Sequence, residues 1–143
     1  MVYGIELWGG ISEASIVFKL QKRAIRTMMK KRTRVSCRPL FKELNILTLP
    51  SVFILKQALY KKKEPSIESR GDKHNHDLRN KDDLCIPYKR LVMSNQLCSV
   101  MSARVFNKIP LSVRRLSENH FKRTITRFLM RNCFYDIKEF INA

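Results

Sequence analysis

Apolar positions along this chain recur at helical rather than alternating spacing. The clearest case is residues 11–32. Ile16, Leu20, Ala24 and Met28 recur every four residues with Val17 beside them, while Lys19, Lys22, Arg23, Arg26 and Lys30 gather on the opposite side. This pattern predicts an amphipathic helix with one dry face and one cationic face. Ser12 is placed to cap its start with Glu13 in the first turn, and Lys30, Lys31 and Arg32 close it, each charge where the helix dipole favours it.

The next segments follow the same logic. Ser36 and Pro39 open a short helix with Leu40, Phe41 and Leu44 on its apolar side, and Asn45 ends it. Thr48 and Pro50 announce a longer helix over residues 51–63, with Val52, Leu55 and Leu59 on one side and Lys61, Lys62 and Lys63 at its end. Residues 64–83 break the pattern. Only Ile67 and Leu78 are apolar there, so a mobile polar loop or linker is expected. Residues 84–87 read as extended ahead of Pro87. Helical spacing resumes over 94–107, with Leu97, Val100 or Met101, Val105 and Phe106 inward, and a short turn holds Leu111, Val113 and Leu116. Ser117 then starts a helix over 118–131 whose dry face is Phe121, Ile125, Phe128 and Leu129. Arg123, Arg127 and Arg131 line up four apart on its wet face as a second basic stripe. Asp136 and Glu139 resemble a capping box for a last short helix. The expected fold is therefore all-α or nearly all-α, with helical halves at 1–63 and 84–143 joined by the polar linker 64–83.

Composition adds a partner to this outline. The chain has 143 residues, 29 Lys plus Arg against 12 acids, a net charge of +17 and 44% hydrophobic residues. That is enough apolar content for a core, and a cationic excess that points to RNA or DNA held non-specifically through phosphates. An anionic membrane surface is the competing partner. No apolar run approaches the roughly 20 residues a bilayer requires. The N-terminus shows no basic region ahead of an apolar core, so an intracellular chain is expected. Cys37, Cys85, Cys98 and Cys133 form no C-x-x-C pair and read as reduced thiols.

Candidate chemistry is sparse. His74-Asn75-His76-Asp77 with Cys85 lacks the paired ligand spacing of structural zinc sites, so a polar loop is expected and no metal. Asp82-Asp83 could be a metal-holding carboxylate pair, but no strand hairpin aims it, and a solvated or capping role is the expectation. Neither Cys37 nor Cys133 has a base at a spacing that suggests one, and four glycines form no phosphate loop. Tyr60, Tyr88, Phe134 and Tyr135 are too scattered to serve as base-stacking platforms. The residues thus support no catalytic site and no cofactor. They support phosphate binding by Lys19, Lys22, Arg23, Arg26 and Lys30 on one helix, and by Arg123, Arg127 and Arg131 on another. A solvated surface is the plainer reading of each stripe.

Several pieces carry a family resemblance. Tyr3-Gly4-Ile5-Glu6-Leu7-Trp8-Gly9 is followed by Leu20-Gln21-Lys22-Arg23-Ala24-Ile25-Arg26, then Leu40-Phe41 and Leu44-Asn45-Ile46-Leu47-Thr48-Leu49. His74-Asn75-His76-Asp77-Leu78-Arg79-Asn80, Phe106-Asn107-Lys108-Ile109-Pro110 and Cys133-Phe134-Tyr135 complete the order. Together they resemble the region downstream of the polymerase core in jockey-type non-LTR retrotransposon reverse transcriptases. Leu78 departs from the Thr usual in that block. The resemblance implies a C-terminal fragment of an RNA-directed DNA polymerase, without the tyrosine–alanine–aspartate–aspartate motif, the fingers, most or all of the palm or the nuclease. No catalytic residue of that family maps onto this chain, so it is not expected to be an enzyme in isolation. The alternative role is a structural docking segment for a polymerase core supplied in trans, only partly folded by itself.

Overall fold

The computed structural model describes residues 3–64, 68–73, 81–86, 88, 90–91 and 97–143. Among these the fold is all-α. In chain order the helices are α1 (Ile5–Trp8), α2 (Ala14–Met28), α3 (Arg38–Glu43), α4 (Leu49–Lys63), α5 (Arg70–Lys73), α6 (Cys98–Lys108), α7 (Leu111–Arg114), α8 (Glu118–Asn132) and α9 (Ile137–Ile141). The sole extended pairing among the described residues is an isolated antiparallel bridge between Ser69 and Leu84.

Helix α4 is the axis of the molecule. It packs against α1, α2, α6, α8 and α9. Phe53, Ile54, Leu55 and Ala58 are buried on several sides of it, and so are the polar Ser51, Gln57 and Lys61. A helix surrounded in this way needs no single apolar stripe. Its start follows the expected signals. The Thr48 hydroxyl oxygen accepts from Ser51 N–H at 3.3 Å and donates to Phe134 C=O at 2.6 Å, while Pro50 occupies the first turn. Gln57 is fully buried and satisfied, because its amide nitrogen donates to Glu6 C=O at 2.9 Å and its oxygen faces the Cys98 thiol at 3.3 Å. Gly9 lets α1 come this close. A Cβ there would stand 2.4 Å from the Phe53 ring and 2.7 Å from Ile5 C=O.

Two apolar clusters flank α4. One gathers Ile5, Phe18, Ile25, Leu40, Phe41 and Phe53 with Met101 and Cys133. The other gathers Ile54, Ala58, Val105, Phe121, Ile125, Leu129, Phe134 and Phe140. Helices before and after the polar stretch therefore contribute to both clusters. That stretch is also structured where it is described. Ser69 and Asp72 cap α5 reciprocally, with the Ser69 hydroxyl donating to the Asp72 carboxylate at 2.7 Å and holding that acid below its ordinary range. Arg70 N–H donates to Asp83 C=O at 2.8 Å, and Cys85 N–H to Glu68 C=O at 3.1 Å. Arg114, with only 9% of its side chain exposed, ties this pairing down through Asp83 at 3.0 Å and Asp82 C=O at 3.2 Å. Asp83 thus forms an ion pair, and the Asp82-Asp83 couple does not stand as two free carboxylates.

Three expected faces differ from the observed ones. In α2 the buried residues are Ala14, Phe18 and Ile25, with Gln21 half-buried among them, whereas Ile16, Leu20, Ala24 and Met28 are exposed. Positions spaced strictly by four drift around a helix of 3.6 residues per turn, while the 14–18–21–25 spacing stays on one side. Leu97 is exposed because it is the extended N-cap of α6 and not part of its wheel. Phe128 is 42% exposed, though its ring packs 5.9 Å from Phe134 and 6.4 Å from Phe140. Ser12 does not cap α2 either; its hydroxyl donates to the Glu13 carboxylate at 2.8 Å, and Glu13 occupies the cap position.

Candidate nucleic-acid interface

The five cations of α2 and its end do not share one environment. Lys19, Arg23 and Lys30 are exposed. Lys22 is half-buried, with Nζ 4.7 Å from the centroid of Phe18 and 5.3 Å from that of Tyr135. Such contacts hold a cation over aromatic faces with on the order of 0.5–2 kcal/mol. Arg26 is half-buried too, and its Nε donates to Val35 C=O at 3.0 Å, fixing the chain that leaves the helix. Lys30 lies beyond the last turn at φ 49, where Lys31 N–H bonds back to Arg26 C=O and Lys30 N–H to Thr27 C=O. This is a Schellman ending with a lysine where glycine is the usual occupant. Lys22 and Arg26 are therefore engaged within the fold, which leaves Lys19, Arg23 and Lys30 as the outward set.

Arg123, Arg127 and Arg131 are all exposed on α8. One turn separates each from the next, a rise of about 6 Å. The opposite side of the helix buries Phe121, Ile125 and Leu129, so the arginines are held outward by the core. A shallow depression of about 610 Å³ runs along the first two, lined by Asn119, Lys122, Arg123, Thr126, Arg127 and Met130. It adjoins a second of about 430 Å³, lined by Lys42, Asn45, Arg127, Met130 and Arg131. Arg127 and Met130 line both, so the two adjoin as one shallow, open channel across the surface of α8 and the end of α3. Among the described residues no acid lines either part.

Residues of α3 complete this surface. The helix packs against both α2 and α8. It ends at Asn45, φ 52, in a second Schellman turn with Ile46 N–H bonded to Phe41 C=O at 3.0 Å. That ending sets Lys42 and Asn45 opposite Arg127 and Arg131. Arg38, on the same helix, is neutralised: it pairs with Glu139 at 2.7 Å and lies over the Tyr135 ring at 4.6 Å. Glu139 also accepts from Tyr135 N–H at 3.0 Å, while Asp136 accepts from Lys138 N–H, so the expected box at α9 closes one residue early. Burial pushes the Cys133 thiol up, against the pull of Lys42 and Arg38.

Lys42, Asn45 and Lys122 were not among the sequence candidates. Lys122 sits one position off the arginine row, and Lys42 joins only when α3 docks on α8, so neither belongs to a periodic stripe. The remaining candidates fall elsewhere. His74, Asn75, His76 and Asp77 lie outside the described residues. Among the described residues no three His, Cys, Asp or Glu side chains converge, and all four thiols are free, with Cys37 and Cys133 buried. Of the aromatics, Phe134 is buried, Tyr135 is covered by Lys22 and Arg38, and Tyr88 is exposed. No helix among the described residues is long and apolar enough to cross a membrane.

The channel can seat a chain of phosphates: guanidinium and ammonium donors at successive turns, polar Asn and Thr neighbours, and no competing carboxylate among the described residues. Nothing in its make-up selects a base, since side chains reaching base edges in a groove are the usual carriers of sequence. Compared with known proteins, the chain matches no protein family, no curated protein and no solved structure.

Proposed function

We propose that this chain is a non-catalytic, non-specific nucleic-acid-binding module, derived from the C-terminal region of a jockey-type retrotransposon reverse transcriptase and acting inside the cell. The observation that carries the binding role is the channel where Lys42, Lys122, Arg123, Arg127 and Arg131 gather from two helices, with no acid lining it among the described residues. The net charge of +17 supports it by drawing a polyanion to the whole surface. Lys19, Arg23 and Lys30 extend the cationic area on α2, with Lys22 and Arg26 serving chiefly to hold that helix in place.

Equilibrium binding to single- and double-stranded RNA and DNA across a salt series tests this reading. Affinity should fall steeply with salt and differ little between sequences, since each neutralised phosphate releases counterions. Binding that is absent, or indifferent to salt, would contradict it.

A second reading, a docking segment for a polymerase core in trans, is favoured by one observation. Ile16, Leu20 and Met28 form an exposed apolar ridge that no phosphate would use. Broad, weakly cooperative thermal unfolding with exposed apolar surface would support the partly folded state that this reading implies.

A further inference from the structure

We propose that the outer face of α2 docks an acidic amphipathic α-helix of a partner protein. This deepens the docking reading above by assigning the face and the chemistry of what covers it. It does not depend on the phosphate channel.

The face is defined by exposure. Ile16 is 58% exposed, Leu20 53% and Met28 65%, although α2 is firmly seated through Phe18 and Ile25 on its other side. Ala24, also exposed, lies between Leu20 and Met28. These four form a single i, i+4 row. Such rows are the ridges by which helices interlock at their commonest crossing angle, and an alanine within the row leaves a notch for a partner's side chain. Lys19 and Arg23, both exposed, border the row along one flank, and Lys30 is exposed just past the end of the helix.

That pairing of features selects the occupant. A polyanion alone would meet the cations and leave the apolar row in water. A second copy of this chain would bring another +17 against the same cations. A lipid surface favours a wide apolar face with aromatic anchors, whereas this row is narrow, notched and free of aromatics. A helix with its own apolar i, i+4 row and Glu or Asp along one flank meets both requirements, by ridge packing and by opposite charge.

The probe is a synthetic helical peptide carrying a leucine row with a glutamate flank, titrated into the full chain and followed by fluorescence anisotropy. A peptide with the same leucines and a lysine flank is the control. The acidic peptide should bind and the basic one should not. Leu20→Glu and Arg23→Glu should each weaken binding by at least about tenfold, while Arg127→Ala should leave it unchanged. Circular dichroism establishes that each variant is folded; Leu20 and Arg23 both point outward, so either serves if the other fails. Equal binding of both peptides, no binding of the acidic one, or indifference to both substitutions would overturn the proposal. So would Leu20-dependent binding to phosphatidylserine vesicles without binding to the peptide, which would assign the face to a membrane surface. Loss of RNA or DNA binding in the Arg127 variant with peptide binding intact separates this site from the phosphate channel.

Discussion

The side-chain oxygen of Gln21 accepts the backbone N–H of Leu49 at 2.9 Å, while its amide nitrogen donates to Leu47 C=O at the same distance. Leu49 opens α4, so this bond satisfies one of the donors that a helix start leaves without an internal partner. A polar residue inside the most basic stretch of the chain thereby faces inward, and it fixes which side of α2 is dry. Replacing Gln21 with Leu should keep the volume and strand both backbone groups. The expected cost is about 1–3 kcal/mol, read as a lower urea midpoint at unchanged slope. An unchanged midpoint would mean that water replaces the amide without loss.

Tyr135 offers a prediction of opposite sign. Its ring lies edge-on to Phe18 at 5.1 Å, and its hydroxyl is buried with no hydrogen-bond partner among the described residues. Tyr135→Phe should therefore raise stability by about 1 kcal/mol at neutral pH. Burial also raises the phenol above its ordinary value of 10.0. The native state thus favours the protonated form. That contribution is complete below pH 10 and is lost as the pH rises through the higher folded value. In the Phe variant the decline of stability above pH 10 should be shallower. A less stable variant at pH 7 would show that the hydroxyl is satisfied in solution.

Two of the three left-handed helix endings among the described residues form an internal comparison. Lys30 has φ 49 and Asn45 has φ 52, each just past the last turn of a helix. Asn tolerates this conformation better than Lys does. Lys30→Gly should stabilise the chain by roughly 0.5–1 kcal/mol, and Asn45→Gly by less. Thermal unfolding of the two variants checks the order, and a larger gain at Asn45 would contradict it.

Much of this fold is legible locally. Thr48 and Pro50 announce α4, Asn45 ends α3, and Phe121, Ile125 and Leu129 fall inward on α8 as their spacing requires. The misread faces have a common cause. α2 is seated by Phe18 and Ile25 with a hydrogen-bonded Gln21 between them and a small Ala14 ahead of them, so its inward side carries no unbroken four-spaced apolar row, whereas the exposed Ile16, Leu20, Ala24 and Met28 do. Nor does the pairing of residues 68–73 with 81–86 leave a local signal. It is held by Arg114, distant in sequence, which the last turn of α7 places beside Asp83.

The candidate interface divides in the same way. Arg123, Arg127 and Arg131 can be read from a helical wheel. Lys42 and Asn45 cannot, because the packing of α3 on α8 brings them there. Lys22 and Arg26 look equivalent to Lys19 and Arg23 in the sequence. Only the positions of Phe18, Tyr135 and Val35 show that they are occupied within the fold.

The most direct measurement compares two triple variants in the same salt series. Lys42, Arg127 and Arg131 are changed to Ala in one, and Lys19, Arg23 and Lys30 in the other, with duplex DNA and single-stranded RNA as ligands. Each removes three positive charges, so a difference between them reports location rather than net charge. With the channel as the phosphate seat, the first variant should flatten the slope of log affinity against log salt by about 2–3, and the second by clearly less. Equal losses in the two variants, or a larger loss in the second, would contradict the channel as the site of binding.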